Sequence, residues 1–414
     1  MFSRSKNLPV GAFFEPPRDP ALPTVFMHVP KTSGTAMSRS LIDALRPRVI
    51  IQKCFDRPHF GAFHEFDTIG ADLRKRIYLD QETIPRDAEF VSGHLSYATL
   101  SRSFKQAQFV TVLREPISRI LSQWLFWRSQ TDESLFRWGA WARHVMSSRR
   151  PLADFLVHED IACQIDNVVV RMLVWPHPHI PDRGFIDSRH DETLVHEAIL
   201  KLERFAFVDA IENPDFPPSL ARWLGKSLNY DRENITPSIS PEFRSLLHEE
   251  LTPKAIDLLE SHSRLDHRLW TKVITRRAQH LNTEKLQRRI LMTIAARYSC
   301  LLSSAPEERD RMSARVANLE STIQRQQLCV AQLEADLAAV RSSNSWRVTR
   351  PFRVAARLLI GSLKPGEAVR LARKELSEAI HGTYATPTNP AETDLTEPAR
   401  TVYHALRQVI ARKQ

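Results

Sequence analysis

Short apolar runs at residues 24–29, 89–95, 108–113 and 205–210 alternate along this chain with longer stretches of helical periodicity. The runs are too short for helices and rich in β-branched and aromatic residues, so each predicts a buried strand. Three end on turn chemistry: Pro30 closes the first, Gly93 frees the backbone just before His94, and Arg114-Glu115-Pro116 closes the third. Between them Met37, Leu41, Ile42 and Leu45 recur at helical spacing, as do Ile117, Ile120, Leu121, Trp124 and Leu125 behind Pro116, a residue suited to a first helical turn. Further helices are predicted around 151–175 and over 194–202, 218–228 and 241–269. Residues 50–66 mix aromatic and polar side chains without a period and predict no element. Strands alternating with helices predict an α/β fold with a central parallel sheet, whose ligands sit at the carboxyl ends of the strands.

The pattern changes beyond residue 280. Met312, Val316, Leu319, Ile323, Gln326, Val330, Leu333, Leu337 and Val340 alternate at spacings of four and three, a coiled-coil seam of roughly four heptads that predicts self-association. After it, 346–360 interleave basic and apolar residues, a pattern compatible with an anionic membrane surface or with docking on the preceding domain. The expected organisation is an irregular arm at 1–21, a catalytic domain at 22–280, a helical linker and coiled coil at 281–345, and a basic amphipathic segment with a loose tail at 346–414.

Composition narrows the class of partner. With 414 residues and 42% hydrophobic content the chain can bury a large core. Its 58 Lys+Arg against 48 Asp+Glu leave a charge of +10, which favours anionic ligands. Cys54, Cys163, Cys300 and Cys329 are widely spaced and lack the CxxC pattern, which signals reduced thiols in a reducing compartment. No long apolar stretch marks a signal peptide or a membrane span, so a cytoplasmic location is expected. Cys54, His59 and His64 lack a fourth ligand at metal spacing, and the prolines around His177 and His179 make that pair a stiff exposed loop; no metal is expected.

The chemistry concentrates in the strand ends. Lys31, Thr32, Ser33, Gly34 and Thr35 form a small-residue loop opening a helix, where backbone N–H groups, hydroxyls and one ammonium suit an anion. Lys31 precedes Gly34, so the Walker spacing G-x-x-x-x-G-K-[ST] is not met. His94 has the residue type of a general base working near neutrality. Arg114 suits bidentate phosphate binding, with Ser122 two helical turns on. His28 is expected to pack within the first strand. Asn167 and Arg171, four apart, are expected on one helix face.

Three of these stretches together, His28-Val29-Pro30-Lys31-Thr32-Ser33-Gly34-Thr35, Ser92-Gly93-His94 and Val112-Leu113-Arg114-Glu115-Pro116 through Ser122, resemble the carbohydrate sulfotransferases of the heparan sulfate 2-O- and 6-O-type and their bacterial relatives. The resemblance spans residues 22–275. It implies a three-layer, P-loop-like fold and the co-substrate 3′-phosphoadenosine 5′-phosphosulfate (PAPS), without a metal. It places the 5′-phosphosulfate on Lys31 through Thr35, the 3′-phosphate on Arg114 and Ser122, and the base on His94, with Lys31 stabilising the leaving group. Asn167 and Arg171 match a family pair near cofactor and acceptor. Where the 2-O enzymes carry a second histidine two positions before the base, this chain has Ser92. The seam followed by Asn344-Ser345-Trp346-Arg347 resembles the ends of bacterial polysaccharide-assembly enzymes, which implies a saccharide or lipid-linked glycan acceptor at the inner face of the membrane, and no nucleic acid. Two other functions compete: a P-loop-like nucleotide kinase, which the missing Walker spacing and the lack of a carboxylate cluster for magnesium argue against, and a catalytically silent scaffold that binds nucleotide or glycan.

Overall fold

The structure, a computed structural model, describes residues 17–79, 82–228 and 239–278, with further single positions between 286 and 298 and at 321, 325, 332 and 404. The expected N-terminal arm lies almost wholly outside the described residues, as do the basic segment and the tail. The seam falls outside them too, apart from isolated positions.

Six strands form one all-parallel sheet: β1 (Thr24–Met27), β2 (Ile50–Asp56), β3 (Ile77–Tyr78), β4 (Phe90–His94), β5 (Gln108–Leu113) and β6 (Phe207–Ala210), in the order β3-β2-β4-β1-β5-β6. This is the expected α/β class with a parallel sheet. The register pairs Thr24 with both Phe90 and Gln108, so β1 sits between β4 and β5 and the carboxyl ends of these three strands lie side by side.

Alternation along the strands sends neighbouring side chains to opposite faces, and both faces are covered. Phe26, Phe90, Val110, Val112 and Phe207 pack with Met37 and Leu41 of α1 (Gly34–Leu45) and with Phe216, Leu220 and Trp223. Val25, Met27, Val91, Phe109, Leu113 and Val208 pack on the other side against two helices and a third, long one. Those are α5 (Val168–Val174), α6 (Asp191–Leu202) and α8 (Pro253–Arg277), which contributes Leu265, Leu269, Trp270 and Val273. Of the remaining elements, α2 (Arg57–Phe60), α3 (Tyr97–Ser103) and α4 (Pro116–Arg128) follow β2, β4 and β5 directly, and α7 (Phe216–Leu224) follows β6.

Four departures from the sequence expectations have physical causes. The aperiodic stretch 50–66 contains a whole strand, β2, and then α2. Four of β2's first four residues are exposed or only half-buried, and the register shifts between Gln52 and Cys54, where Lys53 takes a φ of 57°. A strand with one open face and a bulge shows no alternation to read. The helix expected around 151–175 is broken into short pieces, the last of them starting after Asn167, which is left-handed at φ 46°. The helix expected over 241–269 starts instead at Pro253. There Thr252 accepts a hydrogen bond from the Ala255 amide and proline occupies the first turn. Finally, α7 stops at Leu224 rather than 228, since Gly225 adopts φ 66° and ends the helix. Among the described residues no helix is long and apolar enough to cross a membrane.

Candidate functional site

The loop after β1 is a tight turn in which Lys31 (φ 67°) and Ser33 (φ 59°) are both left-handed. Such a backbone aims successive N–H groups to one side, and α1 begins directly behind it at Gly34. Ser33 is the residue before that helix but makes no side-chain cap, whereas the buried Thr32 spends its hydroxyl on the Val29 carbonyl at 2.9 Å. Thr35 is exposed. Gly34 is required by crowding: a Cβ there would lie 1.7 Å from Nε2 of His28.

Two hydrogen bonds tie this turn to the other two motifs. His94, at the end of β4, binds the His28 carbonyl through Nδ1 at 2.9 Å. A carbonyl can only accept, so Nδ1 carries the proton and Nε2 keeps its lone pair. Arg114, just beyond β5, donates from Nη1 to the Lys31 carbonyl at 3.1 Å, from Nε to Ser118 Oγ at 2.9 Å and from Nη2 to the Tyr298 hydroxyl at 3.3 Å. The sequence-predicted Lys31, His94 and Arg114 therefore converge. Lys31 lays its ammonium 3.9 Å from the Phe126 ring centroid on α4. Arg114 meets Ser118, one turn before the buried Ser122 on the same helix. Ser118, four residues after Arg114, is a partner that the motif does not single out.

A small cleft, with an enclosed volume of only about 10 Å³, opens beside His94. Pro30, Asp56, His59, Gln164, Arg171 and Met172 are among its lining residues. His59 is the residue that sequence reasoning missed as part of the site. Its ring stacks on His94 with centroids 5.1 Å apart and planes within 6°, and His28 lies 4.4 Å from His94 on its own account. Burial, followed by the nearby Lys31 ammonium, pushes His94 down to about 4 despite the bond to His28, and burial likewise holds His28 and His59 well below the usual imidazole range. Three neutral imidazoles thus share the site with one ammonium. Asp56 supports the arrangement: its Oδ2 accepts from the Ser96 amide at 2.7 Å, fixing the turn that follows His94, and burial raises it to about 6.

Asn167 and Arg171 both bond to the carboxylate of Asp166, each to one of its oxygens. Asn167 is the residue before α5 and is left-handed, with no side-chain cap on that helix. It is fully buried, with Oδ1 accepting from the Leu265 and Asp266 amides and the amide nitrogen donating to Asp166. Asn167 thus fastens α8 beneath the cleft. Arg171 does line the cleft, although it is held by the Asp166 carboxylate at 2.7 Å and by the Asp166, Pro181 and Gly184 carbonyls. Ser92, two positions before His94, pairs with Ser38 across 2.6 Å and joins β4 to α1.

Gly93 sets how closely β4 approaches β2. A Cβ there would fall 2.5 Å from the Cys54 carbonyl oxygen, a backbone atom that cannot swing aside. Gly93→Ala is expected to destabilise the fold by about 1–3 kcal/mol, read as a lowered urea midpoint at unchanged slope.

No protein-family model matches the chain, and no curated protein matches it.

Proposed function

We propose that this chain is a PAPS-dependent sulfotransferase that modifies a hydroxyl of a saccharide or glycan. The observation that carries the reading is the pair of hydrogen bonds joining the turns after three adjacent parallel strands, His94 to the His28 carbonyl and Arg114 to the Lys31 carbonyl. They bring an anion-binding turn, a phosphate-suited guanidinium and a base together where such sheets bind ligands. The sequence resemblance assigns the same residues to the same work.

The donor set fits two separated anionic groups. The N–H groups of the turn and first helical residues, with the Ser33 and Thr35 hydroxyls, would hold the 5′-phosphosulfate. Arg114 commits three of its five N–H groups within the described residues, which leaves donors for the 3′-phosphate, and Ser122 lies on the same helix. When bound, PAPS supplies the sulfuryl group and a phosphate leaving group. Lys31 then stabilises the negative charge growing on the leaving oxygen. His94 takes the acceptor proton on Nε2, while its Nδ1–H bond to His28 fixes the ring. His59, stacked on that ring, holds it in place and forms the acceptor side of the cleft.

Transfer of labelled sulfate from PAPS to a panel of glycan acceptors tests the activity, and its pH profile tests the base. A neutral His94 is the working form, and its folded value of about 4 lies below the ordinary 6.5. So kcat/KM is expected to be flat through neutrality and to fall only below about pH 5. Phosphate charge beside the ring favours the imidazolium, so the acid limb of kcat should lie at higher pH than that of kcat/KM. The reverse order would remove His94 as the base.

A further inference from the structure

We infer that His144, His158 and Asp160 form a binding site for a divalent transition metal of the zinc type. One donor atom from each, two ring nitrogens and a carboxylate oxygen, lie within 4.8 Å of one another. The two rings stand 5.9 Å apart and nearly perpendicular, at 77°. His158 Nδ1 lies 4.0 Å from Asp160 Oδ2, while the other carboxylate oxygen is held by Arg183 Nε at 2.9 Å. A ligating carboxylate oriented through its second oxygen is the usual outer arrangement of a metal site.

His144 gives an independent sign. It is only 6% exposed, packed against Trp141 and Phe63, and its Nδ1 is buried without a hydrogen-bond partner among the described residues. A buried ring nitrogen left unmatched costs stability unless a ligand satisfies it. The other charged groups facing the cluster are Glu65, paired with Arg143, and Glu159, close to Arg183.

Two imidazoles and one carboxylate with an open fourth position are zinc ligands by type. Tetrahedral zinc wants donors about 3.3 Å apart, so the three must draw together on binding. His144 is fixed by its packing on the helix Ala142–Met146; the turn carrying His158 and Asp160 is the partly exposed member that moves. Cys163 and Gln164, just beyond Asp160, line the cleft, so the metal would clamp one cleft wall to that helix. This assignment uses no residue of the proposed sulfuryl-transfer site.

The test uses the tag-free full-length chain, stripped with a chelator and titrated with Zn²⁺ by calorimetry, with metal analysis after dialysis. One zinc per chain is expected, with a raised thermal midpoint. His158→Ala, a partly exposed position that leaves the core intact, and Asp160→Asn should each weaken zinc binding by roughly 100-fold, whereas His94→Asn should leave it unchanged. Failure to retain zinc at micromolar concentration overturns the assignment. So does unchanged affinity in His158→Ala.

Discussion

His94→Asn is expected to lower turnover by about 10²–10⁴-fold while leaving the fold and nucleotide affinity largely in place. Asparagine places an N–H donor where Nδ1 stands, so the bond to the His28 carbonyl can persist, and only the basic Nε2 is lost. The paired variant is His59→Phe. It keeps a flat ring against position 94 and lines the same cleft, so it should raise KM for the acceptor more than it lowers kcat. Steady-state sulfate transfer at saturating PAPS separates the two. If His59→Phe showed the larger fall in kcat and His94→Asn the smaller, the roles of the two histidines would have to be exchanged.

Lys31→Ala is expected to cost about 10²–10³-fold in kcat and to weaken binding of 3′-phosphoadenosine 5′-phosphate only modestly. The reason lies in the division of labour within the turn. The Lys31 carbonyl receives Arg114, and the backbone N–H groups and Ser33 and Thr35 hydroxyls do not depend on the ammonium, so much of the anion cradle survives the truncation. In the proposed reaction the ammonium acts on charge that grows as sulfate is transferred, an interaction that shows in kcat. Removing it also relieves the electrostatic pressure on His94, so the acid limb of any residual activity should shift to higher pH. Wild-type kcat in the variant would refute the leaving-group role.

Four of the six strands were legible because both their faces are buried: a continuous apolar run needs no alternation to be recognised. β2 was hidden by the opposite circumstance, a mostly exposed start and a bulge at Lys53. His59 was hidden with it, since its partnership with His94 depends on β2 lying beside β4, and nothing in the spacing of residues 59 and 94 announces that pairing. His94, Lys31 and Arg114 were readable because each follows a legible strand directly and the parallel sheet brings such ends together. The Asn167 and Arg171 pair shows the limit of periodicity. The four-residue spacing was legible, but not that Asn167 stands just before the helix in a left-handed conformation, with Oδ1 accepting from α8 and Asp166 as the partner it shares with Arg171. Buried polar fastenings of this kind, like the Arg171 bonds to Asp166 and the Pro181 and Gly184 carbonyls, are made by long-range packing and leave no local pattern.

The central claim is that the site accepts a nucleotide carrying two separate phosphates. Thermal unfolding of the full-length protein tests it with 3′-phosphoadenosine 5′-phosphate, with ATP and Mg²⁺, and with neither. At about 100 times its Kd the bisphosphate should add about 2.7 kcal/mol and raise the midpoint by about 5–10 °C, an increase that Arg114→Ala largely removes, with ATP and Mg²⁺ giving little. Protection by ATP and Mg²⁺ without protection by the bisphosphate would contradict the account.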